Sequence, residues 1–252
     1  MDVSAVVVTS PFASMPSTAI IAHSIDSLAL VGLGEAPVII VMDGCKVGSE
    51  TRMKKGRITA EGLQRYDQYH INLLTQFAAP RFRVLRSAEH LGFAFAVRLG
   101  LQSCSTTYAL VAQHDRYFTR PFRHLSRILG AMEWCEHIRY VGFPTQSCAA
   151  HDQSLQSVYH LGYLNALKQP VCEGLSLQPL IFWFDSQHVA HVARYLHIFT
   201  PFRTLPPALR DAVGLRAVKD MVLRRGDLRV VWTVIIIAVI CFFCLIPLFC
   251  GR

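Results

Sequence analysis

The chain predicts an α/β protein on a doubly wound sheet, followed by one membrane-spanning helix. Three observations predict it. From Ala5 to Phe143, short β-rich apolar runs alternate with longer stretches of helical periodicity. Two of the four predicted strand ends carry an aspartate, Asp43 and Asp115. Near the C-terminus, Val230 to Phe249 runs without a charge.

The elements follow in order. Ala5–Thr9 is the first predicted strand, and Ser17–Leu30 has apolar positions at helical spacing behind Pro16. Val38–Met42 is the second strand and runs into Asp43 and Gly44, after which a polar, basic loop extends from Lys46 to Arg57. Ala60–Ala78 is a predicted helix closed by Pro80, and Phe82–Leu85 is a short third strand. A helix over Phe93–Ser103 leads to the fourth strand, Tyr108–Ala112, which ends on Gln113, His114 and Asp115. Pro121–Glu136 is a predicted helix with Pro121 in its first turn, and Arg139–Phe143 is a further strand. Strands that alternate with helices in this way pair in parallel, with helices on both faces.

Composition bounds the function. Hydrophobic residues make up 52% of the 252 and charged residues 17%, too apolar for a disordered chain and enough for a sizeable core. The formal charge of +8 is compatible with anionic partners. It is dispersed, with Met53–Arg57 as its densest patch, and no nucleic-acid partner is expected. The eight cysteines are irregularly spaced and fit neither a zinc module nor a small disulfide scaffold.

The twenty residues Val230–Phe249 would span about 30 Å as a helix, the thickness of a bilayer's hydrocarbon core. Trp232 lies near one end, where an indole favours the interface. Arg224, Arg225 and Arg229 precede the run and only Arg252 follows it, which places the N-terminal side in the cytosol. The expectation is a cytosol-facing domain over residues 1–229 with a single-pass anchor at 230–249. No basic, then apolar, leader opens the chain.

In a doubly wound sheet the ligand lies outside the carboxyl ends of the strands. Those ends are Ser10, Pro11 and Phe12; Asp43 and Gly44; Arg86 and Ser87; and Gln113 to Asp115. An aspartate after the second strand can accept hydrogen bonds from a ribose or a base, and one after the fourth can ligate a hard divalent cation. Asp-Gly is also a common turn pair, and an aspartate after a strand is often a helix cap.

The stretch Val84–Leu101 resembles the Asn-x-Gly-x-x-x-Ala-x-Asn-x-Gly segment of family 2-type nucleotide-sugar glycosyltransferases. In that family the segment precedes the strand bearing the Asp-x-Asp metal motif, and here Tyr108–Asp115 follows at the matching distance. The run into Thr9–Phe12 is similar to the family's opening strand, and Val38–Gly44 to its strand-then-Asp-Gly nucleotide contact. The resemblance implies a GT-A-like fold. It also implies a nucleotide-diphosphate sugar as donor and Mn²⁺ or Mg²⁺ as cofactor. His90 and Arg98 stand where the family often has Asn, and Gln113 replaces the first Asp of Asp-x-Asp, leaving Asp115 as the implied metal ligand.

The family's Glu-Asp pair, source of its general base, is absent. Asp185, behind Phe182, Trp183 and Phe184, is the best substitute, and Trp183 is a candidate sugar-stacking residue. The same residues also read as core aromatics with Asp185 capping a helix from Ser186, along which His188, His191 and His197 would lie. Asp152 beside His151 is the second candidate base. The expected activity is inverting transfer of a sugar to an acceptor hydroxyl. Asp43, Arg86, Gln113 and the Ser10–Phe12 turn would hold the donor, Asp115 the metal, and Asp185 would act as base. The acceptor stays open between sugar, lipid and protein. A catalytically inactive, membrane-anchored binding protein of the same fold is the rival expectation. A nucleotidyltransferase is disfavoured, because Ser10–Ser17 has neither Gly nor Lys.

Overall fold

A computed structural model describes residues 1–145, 151–180 and 185–199. The predicted span at 230–249 and Trp183 lie outside them. Among the described residues no helix is long and apolar enough to cross a membrane.

The chain forms two units. The first takes Met1–Leu129 and Asp185–Val192, the second the described residues of Gly130–Phe184 and Ala193–Arg252. The elements in chain order begin with β1 (Val3–Thr9), α1 (Ala19–Asp26), β2 (Val38–Met42), β3 (Lys46–Val47), β4 (Arg57–Ile58) and α2 (Ala60–Gln76). Then come β5 (Phe82–Arg86), α3 (Phe93–Gln102), β6 (Tyr108–Gln113), α4 (Leu125–Trp134), β7 (Tyr140–Gly142) and α5 (His151–Ser157). The series closes with β8 (Gln169–Cys172), β9 (Leu175–Leu177), β10 (His188–His191) and α6 (Val192–Leu196).

Every residue of β1 and β2 is buried, as in strands covered on both faces, and the two polar ones, Ser4 and Thr9, are hydrogen-bonded to Thr106 and Tyr69. Within the first unit the strands lie in the order β5-β2-β1-β6-β10. The first four are parallel, with Thr9 beside Met42 and Val8 beside Gln113. The order reverses between β1 and β6, so the carboxyl ends of those two strands flank the switch point at which doubly wound sheets bind ligands. This is the predicted mixed α/β architecture with a mostly parallel sheet.

Helix α3 crosses from β5 to β6 and lies against β1 and β2. Gly100 makes that approach possible: a Cβ there would sit 2.4 Å from Val6 Cγ1 and 2.9 Å from Val41 Cγ2. Helix α2 starts at Thr59, whose hydroxyl accepts from Gly62 N at 3.1 Å, and buries Tyr66, Tyr69 and Leu73 on one stripe.

Three boundaries differ from expectation. The first predicted helix is α-helical only to Asp26 and then tightens into a 3-10 turn over Ser27–Val31. The helix predicted from Pro121 starts at Leu125, since Phe122 N is drawn away to Leu30 O at 2.8 Å. Most consequentially, Ser186 opens no helix. His188–His191 is a strand, antiparallel to β6 with His188 beside Val111 and His191 beside Tyr108. Pairing satisfies the free edge of β6, which a helix there would leave open. The His residues therefore alternate along a strand instead of sharing a helix face, and only His197 lies beyond it, in a 3-10 turn.

In the second unit Leu155 and Leu164 are buried among Tyr159, Leu161 and Leu167, and β8 and β9 form an antiparallel ribbon. The Tyr140 and Tyr195 ring centroids lie 5.0 Å apart, and Arg194 Nη1 donates to Met132 O at 2.5 Å.

Candidate functional site

The end of β1 is shaped from α2. Arg65 donates from Nε to Met15 O at 3.0 Å and from Nη2 to Ala13 O at 3.0 Å, and Asn72 Nδ2 donates to Pro16 O at 2.9 Å. These bonds hold the turn that carries Ser10, Pro11 and Phe12. Pro11 is buried, while Ser10 and Phe12 are half-buried. The Phe12 ring lies edge-on to Tyr69 at 5.2 Å and tilted against His114 at 4.8 Å, so it joins the rims of β1 and β6. Burial pushes the Tyr69 hydroxyl up to about 12, and the group stays neutral while it shares a hydrogen bond with Thr9 Oγ1 at 3.1 Å.

At the end of β6, Gln113 O accepts from Arg116 N at 3.1 Å, closing a turn over Gln113–Arg116. Ser24 of α1 clips that turn, its hydroxyl lying 2.5 Å from Arg116 O and 3.2 Å from Gln113 O. His114 is half-buried inside the turn; burial holds its imidazole below the usual value, partly opposed by the Asp115 charge. Asp115 itself is exposed. The Gln113 amide donates from Nε2 to Asp185 O at 2.5 Å, so β10 brings the candidate base segment to the candidate metal turn. Asp185 is exposed, and Ser186 to His188 behind it are buried. His188 Nδ1 donates to Ser186 O at 2.7 Å, and complete burial pushes the imidazole down to about 4.

At the end of β2, Asp43 is only 2% exposed. Its Oδ1 accepts from Leu91 N at 2.8 Å and its Oδ2 from Gly92 N at 3.0 Å, with His90 Nδ1 2.9 Å from Oδ2. Gly92 is the N-cap of α3, so this carboxylate sits at the positive end of that helix. Tyr66 OH donates to Asp43 O at 2.6 Å, and burial raises the phenol far above its usual value. Gly44 lets the loop close on Asp43: a Cβ there would lie 2.2 Å from Glu89 C. The sheet thus puts Asp43 and Asp115 on one edge, about 10 Å apart by two strand spacings, but turns only Asp115 outward.

Arg86, at the end of β5, pairs with Asp67 at 2.5 Å and lies 5.9 Å from the Tyr66 ring. It lines a pocket of about 370 Å³ with Gly44, Cys45, Val47, Leu63, Tyr66, Ser87 and Ala88. Asp152, the second candidate base, belongs to the second unit. It accepts from Lys168 Nζ at 2.5 Å and from Gln178, bonds that hold its carboxyl below the usual range.

Arg65, Tyr66, Tyr69 and Asn72 were not singled out from sequence, although the 66, 69, 73 stripe marks the buried face of α2. Ser24 left no signal, because a clip spanning 92 residues of chain is set by packing alone.

Asp115 is the one candidate metal ligand, and no cluster of three or more His, Cys, Asp or Glu that could hold a metal occurs among the described residues. Such a site fits a divalent ion only as Mg²⁺ is often held, by one carboxylate with substrate phosphates completing the shell.

No family model matches the chain, and no curated protein sequence does. Among solved structures, the mannosyltransferase PcManGT from Pyrobaculum calidifontis, in complex with GDP-Man and Mn²⁺, is similar with a TM-score of 0.41 and 12% identity. That likeness covers 81% of this chain and 47% of the other. S. aureus TarS is similar with a TM-score of 0.31 and 18% identity over 55% of this chain and 20% of the other. The chain therefore spans less than half the length of either protein. Both are likenesses of fold. In this chain four parallel strands reverse order beside β1, and an antiparallel strand, β10, lies against β6.

Proposed function

We propose that the protein is a glycosyltransferase that moves a sugar from a nucleotide-diphosphate donor to an acceptor hydroxyl with inversion. One observation carries the reading: the Gln113–Asp185 bond joins an exposed aspartate turn and an exposed acid at the switch point of the sheet. The donor would lie across the ends of β1 and β6, against Ser10 and Phe12. Asp115 would hold Mn²⁺ or Mg²⁺ against the donor's diphosphate, and the ion would neutralise the leaving group. Gln113 spends its amide nitrogen on Asp185 and keeps its oxygen for the ligand. Asp185 would take the acceptor's proton as that oxygen attacks in line with the departing diphosphate. Arg86 would meet the donor only from the outer pocket, and Asp43 would act by holding the Leu91–Gly92 corner. The apolar run at 230–249 would anchor the domain on the cytosolic face of a membrane.

The rival reading, a binding protein without turnover, is favoured by the single carboxylate at the metal turn. Calorimetry and sugar release, measured on the same panel of nucleotide sugars with Mn²⁺, separate the two. Binding with release supports the transferase. Binding without release, by the wild-type chain and with acceptors of all three classes, selects the rival.

A further inference from the structure

Helix α1 and the 3-10 turn that continues it bury two serines on their apolar face. Ser24 is 2% exposed and Ser27 7%, among Ile21, Ile25, Leu28 and Val31. A serine inside a helix ordinarily turns to solvent or bonds its own helix. Here both reach across to the segment that follows β6. The Ser24 hydroxyl donates to Arg116 O at 2.5 Å, with Gln113 O at 3.2 Å. Ser27 donates back to Ser24 O at 2.6 Å and accepts from Phe118 N at 3.1 Å. One turn on, Leu30 O accepts from Phe122 N at 2.8 Å. Ser24, Ser27 and Leu30 stand three residues apart, and the tightening into a 3-10 turn at Ser27 keeps such positions in line.

These bonds bear on Asp115. Ahead of it, His114 N donates to Val8 O of β1 at 2.9 Å. Behind it, Arg116 N donates to Gln113 O at 3.1 Å, and Arg116 O is held by Ser24. Asp115 is thus fixed through the backbone of both neighbours, while its carboxylate stays exposed. Gln113 O has Arg116 N as a further donor, whereas the donor at Arg116 O is Ser24. A metal site with one carboxylate has no second one to compensate for a misplaced ligand, so the orientation of Asp115 sets what it can hold.

We propose that Ser24 and Ser27 are positioning residues, which set the Asp115 carboxylate to hold a divalent ion against a diphosphate. Their role rests on the reading of Asp115 as the metal ligand and brings α1 into that site.

The test is calorimetry on the full chain in neutral detergent, with the tightest binder among ADP, CDP, GDP and UDP as the probe and Mn²⁺ titrated. Wild type binds the probe more tightly as Mn²⁺ rises, and Asp115→Ala loses that gain. Ser24→Ala needs about tenfold more Mn²⁺ for half-maximal binding, the low end of what losing a partner behind a metal ligand costs. At saturating Mn²⁺ it still reaches the wild-type stoichiometry, which a partly unfolded chain would not. Ser27→Ala shifts the requirement the same way by less. Ser4→Ala removes another buried hydroxyl, bonded to Thr106 at the amino end of β1, and keeps the wild-type Mn²⁺ requirement whatever its Tm. On the wild-type chain without ligand, the Arg116 and Phe118 amides exchange hydrogen at least about 100-fold more slowly than in a free peptide. Should Ser24→Ala not fold, Ser27→Ala and these exchange rates decide. The proposal is overturned if the serine variants keep the wild-type Mn²⁺ requirement while Asp115→Ala loses the gain. It is also overturned if Ser4→Ala raises the requirement equally, or if the two amides exchange at the free-peptide rate. If Asp115→Ala itself behaves as wild type, or no probe responds to Mn²⁺, the metal reading falls and the positioning role with it.

Discussion

The ends of β2 and β6 look alike in sequence and do opposite work. Each is an apolar run followed by an aspartate, directly after Met42 in one case and after Gln113 and His114 in the other, and both aspartates lie beyond the carboxyl edge of one sheet. Asp43 is buried, with both oxygens taken by the backbone of the Leu91–Gly92 corner and by His90. Asp115 is exposed on a turn whose carbonyls are moored by Ser24. The difference comes from what each strand is followed by in space. Beyond β2 the chain meets the N-terminus of α3, which draws in an anion. Beyond β6 the Arg116 N–H and the Ser24 hydroxyl satisfy the turn's inner carbonyls, and the carboxylate is left to solvent.

The sharpest way to break this comparison is to exchange the two kinds of loss. Asp43→Ala leaves the Leu91 and Gly92 N–H groups unpaired in a buried site and leaves His90 only its contact with Gly44 O, at an expected cost of about 3 kcal/mol of stability. Denaturant unfolding measures it; a cost under about 0.5 kcal/mol would mean the clamp is idle. Acid tests the support behind the other rim. His188 titrates at about 4 in the folded chain and near 6.5 when unfolded, so the unfolded state binds more protons between those values. Stability is therefore complete above about pH 6.5 and declines by roughly 3 kcal/mol as pH falls to 4. His188→Leu should flatten that slope in a pH series of unfolding curves.

Asp115→Ala should reverse the pattern of Asp43→Ala. Sugar transfer is expected to fall about 100-fold, a loss near 2.7 kcal/mol of transition-state stabilisation, while unfolding stays within about 0.5 kcal/mol of wild type. Transfer at the wild-type rate would remove Asp115 from the mechanism. The smallest expected effect is at Gly44→Ala, where the new methyl must push the Glu89 backbone aside at a cost of about 2 kcal/mol. Crystallography of that variant should show the 89–92 corner displaced and the Asp115 turn unmoved.

Much of the first unit was legible. Short apolar runs marked β1, β2 and β6, because strands covered on both faces carry little polar alternation to confuse them. The direction of a carboxylate was not legible: Asp-Gly after a strand describes Asp43 equally well as ligand, turn or clamp, and only the approach of α3 decides. Strand β10 was misread for a related reason. Four residues with histidine at both ends fit either period, and the pairing with β6 that settles the matter joins residues some 80 positions apart. Strands β3 and β4 escaped because two-residue strands have no period at all.

Gly100 has a reach that its place in the chain conceals. It faces Val6 and Val41 two turns into α3, about 12 Å along the helix from the Gly92 corner. Adding side-chain bulk there lifts the whole crossover, and with it the amides that Asp43 grips. A blind screen for damaged rims would accordingly collect changes at a position that touches no ligand, and the thickness of one missing methyl would emerge as a heritable determinant of where the pocket opens.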